Sequence, residues 1–406
     1  MEEPPVPFDV RPLARQLPAY TIAHGVGILA PLITLPYLTR VLGADGWAPV
    51  VIAQGLVALG VTGLDFGFDL TGPRDLSDAA PEHRPAIIAA VTGGKLLLAP
   101  IVLIAVLLLT VASRVHMPWT LRAATLACVL AKGLTPLWVF QGLERANIAL
   151  TIETAGRIVA AALVFVCVRT PADGPWVMLT QATTLAVVAA IQWGLLRTHL
   201  TPGRVALRSS WHQIRHSAHA FGIRGAAALY QHLNPLLVAV LGSPAAVVAF
   251  GGAERIVRAG INLYLPITQA LLPRARRTPV TVVSTGAWLI GGVGLLLAST
   301  CWIAAGPLVR VILGPGFESA IPLVRGLASL PIAIAIGTVL GLLWAVPSGR
   351  ERAFFHLVLG AAGAALTTAI LAIPRLGAAG MVAGVLVAEW LVAVGLFTMY
   401  RRERGR

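Results

Sequence analysis

Long apolar stretches follow one another along almost the whole of this 406-residue chain, and the connections between them are short. A helix of about 20 apolar residues crosses the roughly 30 Å hydrocarbon core of a bilayer, and most of these stretches reach that length. A membrane-spanning β-barrel would instead need ten-residue segments of alternating apolar and polar residues. Charged residues make up 12% of the chain, against about 25% in soluble proteins. The sequence therefore predicts an all-α polytopic membrane protein.

Twelve stretches are long enough to be predicted as membrane spans. The longest connection, which follows the sixth span, divides them into two groups of six. We therefore predict an N-terminal six-helix lobe at residues 1–200, a connecting loop at 201–216 and a C-terminal six-helix lobe at 217–406. The predicted spans are residues 17–40, 47–72, 86–111, 118–141, 147–168, 175–197, 217–241, 245–272, 280–304, 319–346, 353–373 and 378–400.

The orientation of the chain follows from the arginines in the connections. Eighteen of them flank the side that holds both termini, and five flank the other side. Positive residues accumulate on the cytoplasmic side of membrane proteins. We therefore expect a multi-pass protein of the cytoplasmic membrane with both termini in the cytoplasm.

The predicted eighth span, residues 245–272, carries three charges within five residues. A charge at the centre of a span costs about 2.5–3.5 kcal/mol even on the most lenient insertion scale. Glu254 and Arg258 are four residues apart, on one helical face, and can pair. Arg255 is then left as an extra positive charge. Either a structural ion pair inside a helix bundle or a cationic lining for an anionic cargo explains this stretch.

Cations outnumber acids inside the predicted spans, so that two would remain even if every acid were paired. An unpaired buried cation needs a water-filled cavity or an anionic ligand, and the planar guanidinium of arginine matches phosphate oxygens in pairs. The seven cations are Lys95, Lys132, Arg157, Arg224, Arg255, Arg258 and Arg325, and the five acids are Asp65, Asp69, Glu153, Glu254 and Glu389.

Some of these cations have no acid at helical spacing. Lys95 and Lys132 lack an acid three or four residues away, and we predict that they face a cavity together with Arg224 and Arg255.

Two acid-containing pairs have spacings that place both members on one helical face. Glu153 and Arg157 repeat the spacing of the pair in the eighth span and could form a purely local ion pair. Asp65 and Asp69 are also four apart, and their like charges call for neighbouring cations, a bound proton or a bound cation. Asp65, Asp69 and Glu254 are therefore candidates for coupling to an ion.

Other kinds of site have little support in the sequence. The nine histidines are scattered, the three cysteines fall inside predicted spans, and we expect neither a metal site nor a cofactor nor a catalytic centre. The net charge of +14 comes mostly from arginines in short loops, where anionic lipid headgroups rather than nucleic acid are the expected partner. Trp47, Trp119 and Trp176 begin spans and are predicted to anchor at the membrane interface.

Short motifs occur in a fixed order along nearly the whole chain. They are residues 35–43 (LPYLTRVLG), 65–68 (DFGF) with Arg74, 140–144 (FQGLE), Arg157, residues 253–258 (AERIVR), 313–314 with Phe317, and 373–380 (IPRLGAAG) ahead of Glu389. In this order the motifs resemble those of the polysaccharide transport flippases. These are the O-antigen and repeat-unit translocases of the multidrug/oligosaccharidyl-lipid/polysaccharide exporter superfamily.

The resemblance implies two six-helix lobes around a central cavity that opens alternately to the two sides of the membrane. The implied cargo is an oligosaccharide repeat unit on polyprenyl pyrophosphate, moved for surface polysaccharide biosynthesis. Membrane lipids, a polysaccharide polymerase and a chain-length regulator are the expected partners. In that family, cavity cations hold the pyrophosphate, and Arg157, Glu254, Arg255 and Arg258 occupy matching motif positions.

The resulting hypothesis is a flippase rather than an enzyme. Alternatives are another exporter of the same superfamily (for a peptidoglycan-precursor lipid, or a drug/cation antiporter), a membrane-embedded glycosyltransferase, and a structural scaffold. A drug exporter calls for an acidic cavity, and a transferase usually needs a larger external loop than this chain offers. The predicted substrate-binding cations are Lys95, Lys132, Arg157, Arg224, Arg255 and Arg258.

Overall fold

The computed structural model of the chain describes residues 11–197, 207–272, 275 and 279–404. Nearly all of these residues are helical, and none of them lies in a strand, which confirms the predicted all-α class. The helices are α1 (Arg11–Asp65), α2 (Phe68–Asp78), α3 (Arg84–Ala112), α4 (Trp119–Gly133), α5 (Leu137–Gly142), α6 (Ala146–Cys167), α7 (Gly174–Arg197), α8 (Leu207–Leu241), α9 (Pro244–Ile261), α10 (Tyr264–Leu271), α11 (Pro279–Ile303), α12 (Ala305–Ile312), α13 (Ile321–Gly326), α14 (Leu330–Gly337), α15 (Glu351–Leu376) and α16 (Ala378–Arg404).

Nine helical segments within the described ranges are long and apolar enough to cross a membrane. The protein is therefore a multi-pass membrane protein, and the number of twelve spans stays a prediction. The predicted connecting loop at 201–216 lies partly outside the described residues, and its residues 207–216 form the first turns of α8.

Helix α1 contains the first predicted span and most of the second. They are separate helical segments divided at Gly43, whose φ of 65° and ψ of −176° are not helical. The eighth span divides into two helices, because α9 ends at Ile261 and α10 begins at Tyr264. The start of α9 is encoded locally: Ser243 caps the helix by accepting a hydrogen bond from Ala246 N at 3.2 Å, and proline occupies the first turn.

The long helices alternate in direction, so their connections gather at two ends of the bundle. We call one of them the Gly43 end. It contains the kink at Gly43, the connection before α4, the turn before α9 and Gly377 between α15 and α16. Contacts across this end include the hydrogen bond from Arg114 N to Ala239 O at 2.9 Å.

The hydrophobic core at the Gly43 end is shared by the two halves of the chain. Large, fully buried side chains there come from both halves and include Trp47, Phe250 and Phe317. One continuous cluster joins residues of α1, α3 and α4 to residues of α8, α9 and α16. Arg40 adds a polar contact, because its guanidinium donates to Val311 O at 2.6 Å. The two halves are therefore packed together at this end.

Close helix pairing in the second half gives a stability prediction. A Cβ at Gly380 of α16 would lie 2.5 Å from two backbone atoms of α15, Ala372 C and Ile373 N. Because backbone atoms cannot rotate away, we expect Gly380→Ala to destabilise the protein by about 1–3 kcal/mol. Gly360→Ala in α15, where a Cβ would meet nothing within 4 Å, is the control. Thermal unfolding in detergent compares the two, and equal melting temperatures would contradict the close pairing of α15 with α16.

Candidate functional site

A polar cavity of about 460 Å³ opens within the first half of the chain. Helices α1, α4, α6 and α7 form its walls. Its polar lining consists of Thr34, Gln54, Lys132, Glu153, Arg157, Thr180, Gln181 and Thr184. The cavity therefore combines two cations, one acid and several neutral hydrogen-bonding groups.

Two cations converge on one carboxylate in this cavity. Glu153 Oε2 accepts hydrogen bonds from Lys132 Nζ at 3.1 Å and from Arg157 Nη2 at 3.4 Å. Lys132 lies in the last turn of α4, and the other two residues are one turn apart on α6. The Glu153 side chain is 4% exposed, whereas the side chains of Lys132 and Arg157 are 31% and 42% exposed. The charged groups that line the cavity, among the described residues, therefore carry a net positive charge.

The absence of a side chain at Gly27 of α1 leaves space for the guanidinium of Arg157 on α6. A Cβ at Gly27 would lie 2.9 Å from Arg157 Nη1. Glycine at this position therefore allows the guanidinium to lie against α1. Both Lys132 and Arg157 were predicted to bind substrate, and both line the cavity.

Lys95 is placed differently from its prediction. Its ammonium group donates to Asp65 Oδ1 and to Gly133 O, both at 2.7 Å, and the residue is 4% exposed. Lys95 and Asp65 are 30 residues apart in the sequence, so helical spacing could not predict their ion pair. The prediction that Lys95 faces a cavity is therefore wrong, because this lysine is enclosed where α1, α3 and α4 meet.

The two aspartates near the end of the second predicted span do not share a helical face. Helix α1 ends at Asp65, and Phe66 and Gly67 then take positive φ values of 40° and 80° before α2 begins. Asp69 lies in the first turn of α2 and is exposed. The prediction that Asp65 and Asp69 share one helical face is therefore wrong, because the break puts them in different helices.

Arg255 connects the two halves of the chain. Its guanidinium donates a hydrogen bond to Gln54 Oε1 of α1 and lies 4.5 Å from the centre of the Trp47 ring. No carboxylate in the described part of the chain forms an ion pair with it. Gln54 also lines the cavity, so Arg255 lies at the boundary between the cavity and the second half.

One of the three tryptophans predicted as interfacial anchors has another role. Trp47 is 1% exposed and packs beneath the guanidinium of Arg255, so its prediction is wrong. Trp119 and Trp176 are exposed at the starts of their helices, as an interfacial position requires.

The remaining predicted residues lie in the second half. Glu254 Oε1 accepts a hydrogen bond from Arg258 Nε at 2.9 Å, so the local pair forms as predicted, and Asn234 Nδ2 lies 3.5 Å from the same oxygen. The side chain of Arg224 lies outside the described residues. Arg325, predicted as a buried or half-buried cation, is exposed on α13.

Sequence reasoning missed two features of the cavity. The neutral residues Gln54, Gln181 and Thr184 were not considered, although a polar side chain within a predicted span is itself a signal. The contact of Lys132 with Glu153, 21 residues later, could not be read from helical spacing. No group of three or more histidines, cysteines and acids suited to a metal ion occurs among the described residues.

Solved structures with a similar fold are membrane transporters. The lipid II flippase MurJ in an inward closed conformation superposes with a TM-score of 0.72 at 10% identity, over 96% of this chain and 87% of MurJ. An inward-facing multidrug resistance MATE family transporter of the MOP superfamily gives a TM-score of 0.66 at 14% identity, over 95% and 94% of the two chains.

Relatives in sequence are also transporters. A protein of Escherichia coli (strain K12) named "Putative O-antigen transporter" is 26% identical over 367 residues, which cover 86% of this chain and 87% of that protein. A protein of the same name from Shigella dysenteriae is 25% identical over 385 residues, or 92% and 96% of the two chains. The family model "Polysaccharide biosynthesis protein" matches residues 13–278, about two thirds of the chain. The chain therefore belongs to the polysaccharide biosynthesis protein family.

Proposed function

We propose that the protein is a flippase that moves a polyprenyl-pyrophosphate-linked oligosaccharide repeat unit across the cytoplasmic membrane by alternating access. The family, the names of the sequence relatives and the transporter fold support this proposal. The lobes at residues 1–200 and 217–406 are the units that would move. A polysaccharide polymerase and a chain-length regulator would act on the cargo after its release.

The observation that carries the proposal is the pair of cations on Glu153. Lys132 and Arg157 together supply a compact ammonium group and a planar guanidinium, which suit a pyrophosphate better than a neutral or cationic cargo. Neutral hydroxyl and amide groups on α1 and α7 offer hydrogen bonds for sugar hydroxyls. The cavity would thus bind the headgroup, while the polyprenyl chain stays in the lipid.

The closed Gly43 end gives the proposed transport a direction. With both termini in the cytoplasm, the Gly43 end would face the outside, and the packing of the two halves there would close the cavity to that side. Cargo would enter from the cytoplasmic side and leave after the contacts around Arg255, Gln54 and Arg40 separate.

Flipping in proteoliposomes tests the proposed function. We expect wild-type protein to expose lipid-linked oligosaccharide to an external glycosidase. Lys132→Ala with Arg157→Ala should slow this at least about 30-fold. The bound cargo would cover both cations, and loss of a charged partner from such a covered pair costs about 2–5 kcal/mol of binding. Arg352→Ala, which removes an exposed arginine at the start of α15, is the control.

Two results would contradict the proposed function. If the double variant flipped the lipid as fast as wild-type protein does, the two cavity cations would not be needed for transport. Transport of a peptidoglycan-precursor lipid or a cationic drug, in place of the oligosaccharide lipid, would favour the other exporters of the superfamily.

A further inference from the structure

Glu153 holds the two cavity cations together, yet its own carboxylate is only half satisfied. Oε2 accepts from Lys132 and Arg157, whereas Oε1 is buried and has no hydrogen-bond partner among the described residues. A buried carboxylate oxygen without a donor is unfavourable, and such groups mark places where a proton or a ligand binds. Glu153 is also the only acid among the described residues that line the cavity.

The geometry places the cations in front of the acid. The side chains of Lys132 and Arg157 are partly exposed, while that of Glu153 is almost fully buried behind them. An anion that enters the cavity therefore reaches the two cations without first contacting the carboxylate. It would compete with Glu153 for the same ammonium and guanidinium protons.

We propose that Glu153 is a displaceable internal counter-ion that releases Lys132 and Arg157 to the phosphate groups of the cargo and takes up a proton when it does so. This inference rests on the proposed function, since the displacing anion is the pyrophosphate of the cargo. It adds a proton that the surrounding buffered solution supplies through the open cavity and that binds to the carboxylate each time the site is loaded.

The surroundings of Glu153 explain why a proton is needed. Within the described part of the chain, the charged groups that face it are Lys132 from α4 and Arg157 from α6 itself. The described lining from α1 and α7 is neutral, and its polar members are Thr34, Gln54, Thr180, Gln181 and Thr184. Once phosphate engages both cations, no other charge among these groups compensates the carboxylate. A buried acid without a counter-charge becomes neutral by binding a proton.

The same exchange accounts for release of the cargo. When the carboxylate loses its proton, it competes again for the two cations and displaces the phosphate. Three acids were predicted to couple to an ion, and none of them lines the cavity. Asp65 and Glu254 are engaged by Lys95 and Arg258, and Asp69 is exposed on α2. Glu153 is therefore the acid placed to couple cargo to a proton.

Titration calorimetry on the purified full-length protein tests this inference. The probe is farnesyl diphosphate esterified to one N-acetylglucosamine, a pyrophosphate diester whose own charge does not change near neutral pH. Wild-type affinity should rise by about tenfold for each pH unit of acidification, as linkage to one bound proton requires. Buffers of different ionisation enthalpy should report uptake of about one proton for each probe bound.

Glu153→Gln separates this role from a structural one. The variant should lose the pH dependence and take up no proton, because the competing anion is gone. Its affinity for the probe should therefore exceed that of the wild type by a factor that grows about tenfold for each unit of rising pH. Its flipping in proteoliposomes should nevertheless fall, because release is impaired. Glu254→Gln alters the matched glutamate–arginine pair of α9 and should keep the wild-type pH dependence.

The possible outcomes distinguish the inference from the function on which it rests. Wild-type binding without proton uptake, or an unchanged pH dependence in Glu153→Gln, would overturn the counter-ion role and leave phosphate transport standing. No binding of the probe by wild-type protein would overturn both. Should Glu153→Gln fail to fold, proton uptake by wild-type protein still decides the question without a variant.

Discussion

A disulfide between positions 51 and 251 is expected to abolish the proposed export, and its reduction is expected to restore it. A Cβ built on Gly251 of α9 would lie 3.8 Å from the Cβ of Val51 of α1. This separation is the usual one in disulfides, about 3.8 Å. The bond formed by Val51→Cys with Gly251→Cys would join the two halves near the Gly43 end, where alternating access requires them to separate.

The cross-linking experiment needs a background in which the native cysteines are replaced. Cys128, Cys167 and Cys301 are all free thiols. Flipping by the double variant is measured after oxidation and again after reduction. The two single variants, treated in the same way, are the controls, and we expect them to respond little to oxidation. Undiminished flipping by the fully cross-linked protein would show that the halves do not part at this end.

The second large effect is expected for Lys95→Met. Methionine keeps most of the buried volume but removes the ammonium group that serves both Asp65 Oδ1 and Gly133 O. The remaining Asp65 carboxylate is 31% exposed and can be hydrated, whereas Gly133 O loses a buried donor. We therefore expect a loss of about 2–3 kcal/mol, below the about 3–5 kcal/mol of a fully buried ion pair. Unfolding of the purified variant in detergent measures this loss.

Two further variants test the reason for this effect. Lys95→Met combined with Asp65→Leu should recover part of the lost stability, since the second change removes the uncompensated charge. Lys132→Met alters the chain's other lysine, whose side chain is partly exposed. Glu153 remains paired with Arg157 in this variant, so we expect a clearly smaller loss of stability. Equal losses for the two single lysine variants would contradict the enclosed position of Lys95.

The features that local spacing determines could be predicted from the sequence. Residues four apart on a helix face the same side, and the ion pairs of Glu153 with Arg157 and of Glu254 with Arg258 form as that rule requires. The helical class follows from apolar length alone, because a bilayer leaves few other ways to satisfy the backbone.

The features that depend on tertiary packing could not be predicted in this way. Asp65 reaches Lys95 across 30 residues, and Gln54 reaches Arg255 across 201. Spacing within one helix contains no information about such pairs. The break at Phe66 and Gly67 escaped notice for a related reason, since a phenylalanine with positive φ has no signature in an apolar stretch.

The kink at Gly43 has a consequence for natural variation at that position. A Cβ there would meet nothing within 4 Å, so inspection of the available space alone would suggest that any small residue is acceptable. The dihedral angles exclude this, because φ 65° with ψ −176° is a conformation open essentially to glycine only. Every substitution of this glycine introduces a Cβ and therefore strains the backbone. We expect selection to remove such variants, although the space around the residue could hold a side chain.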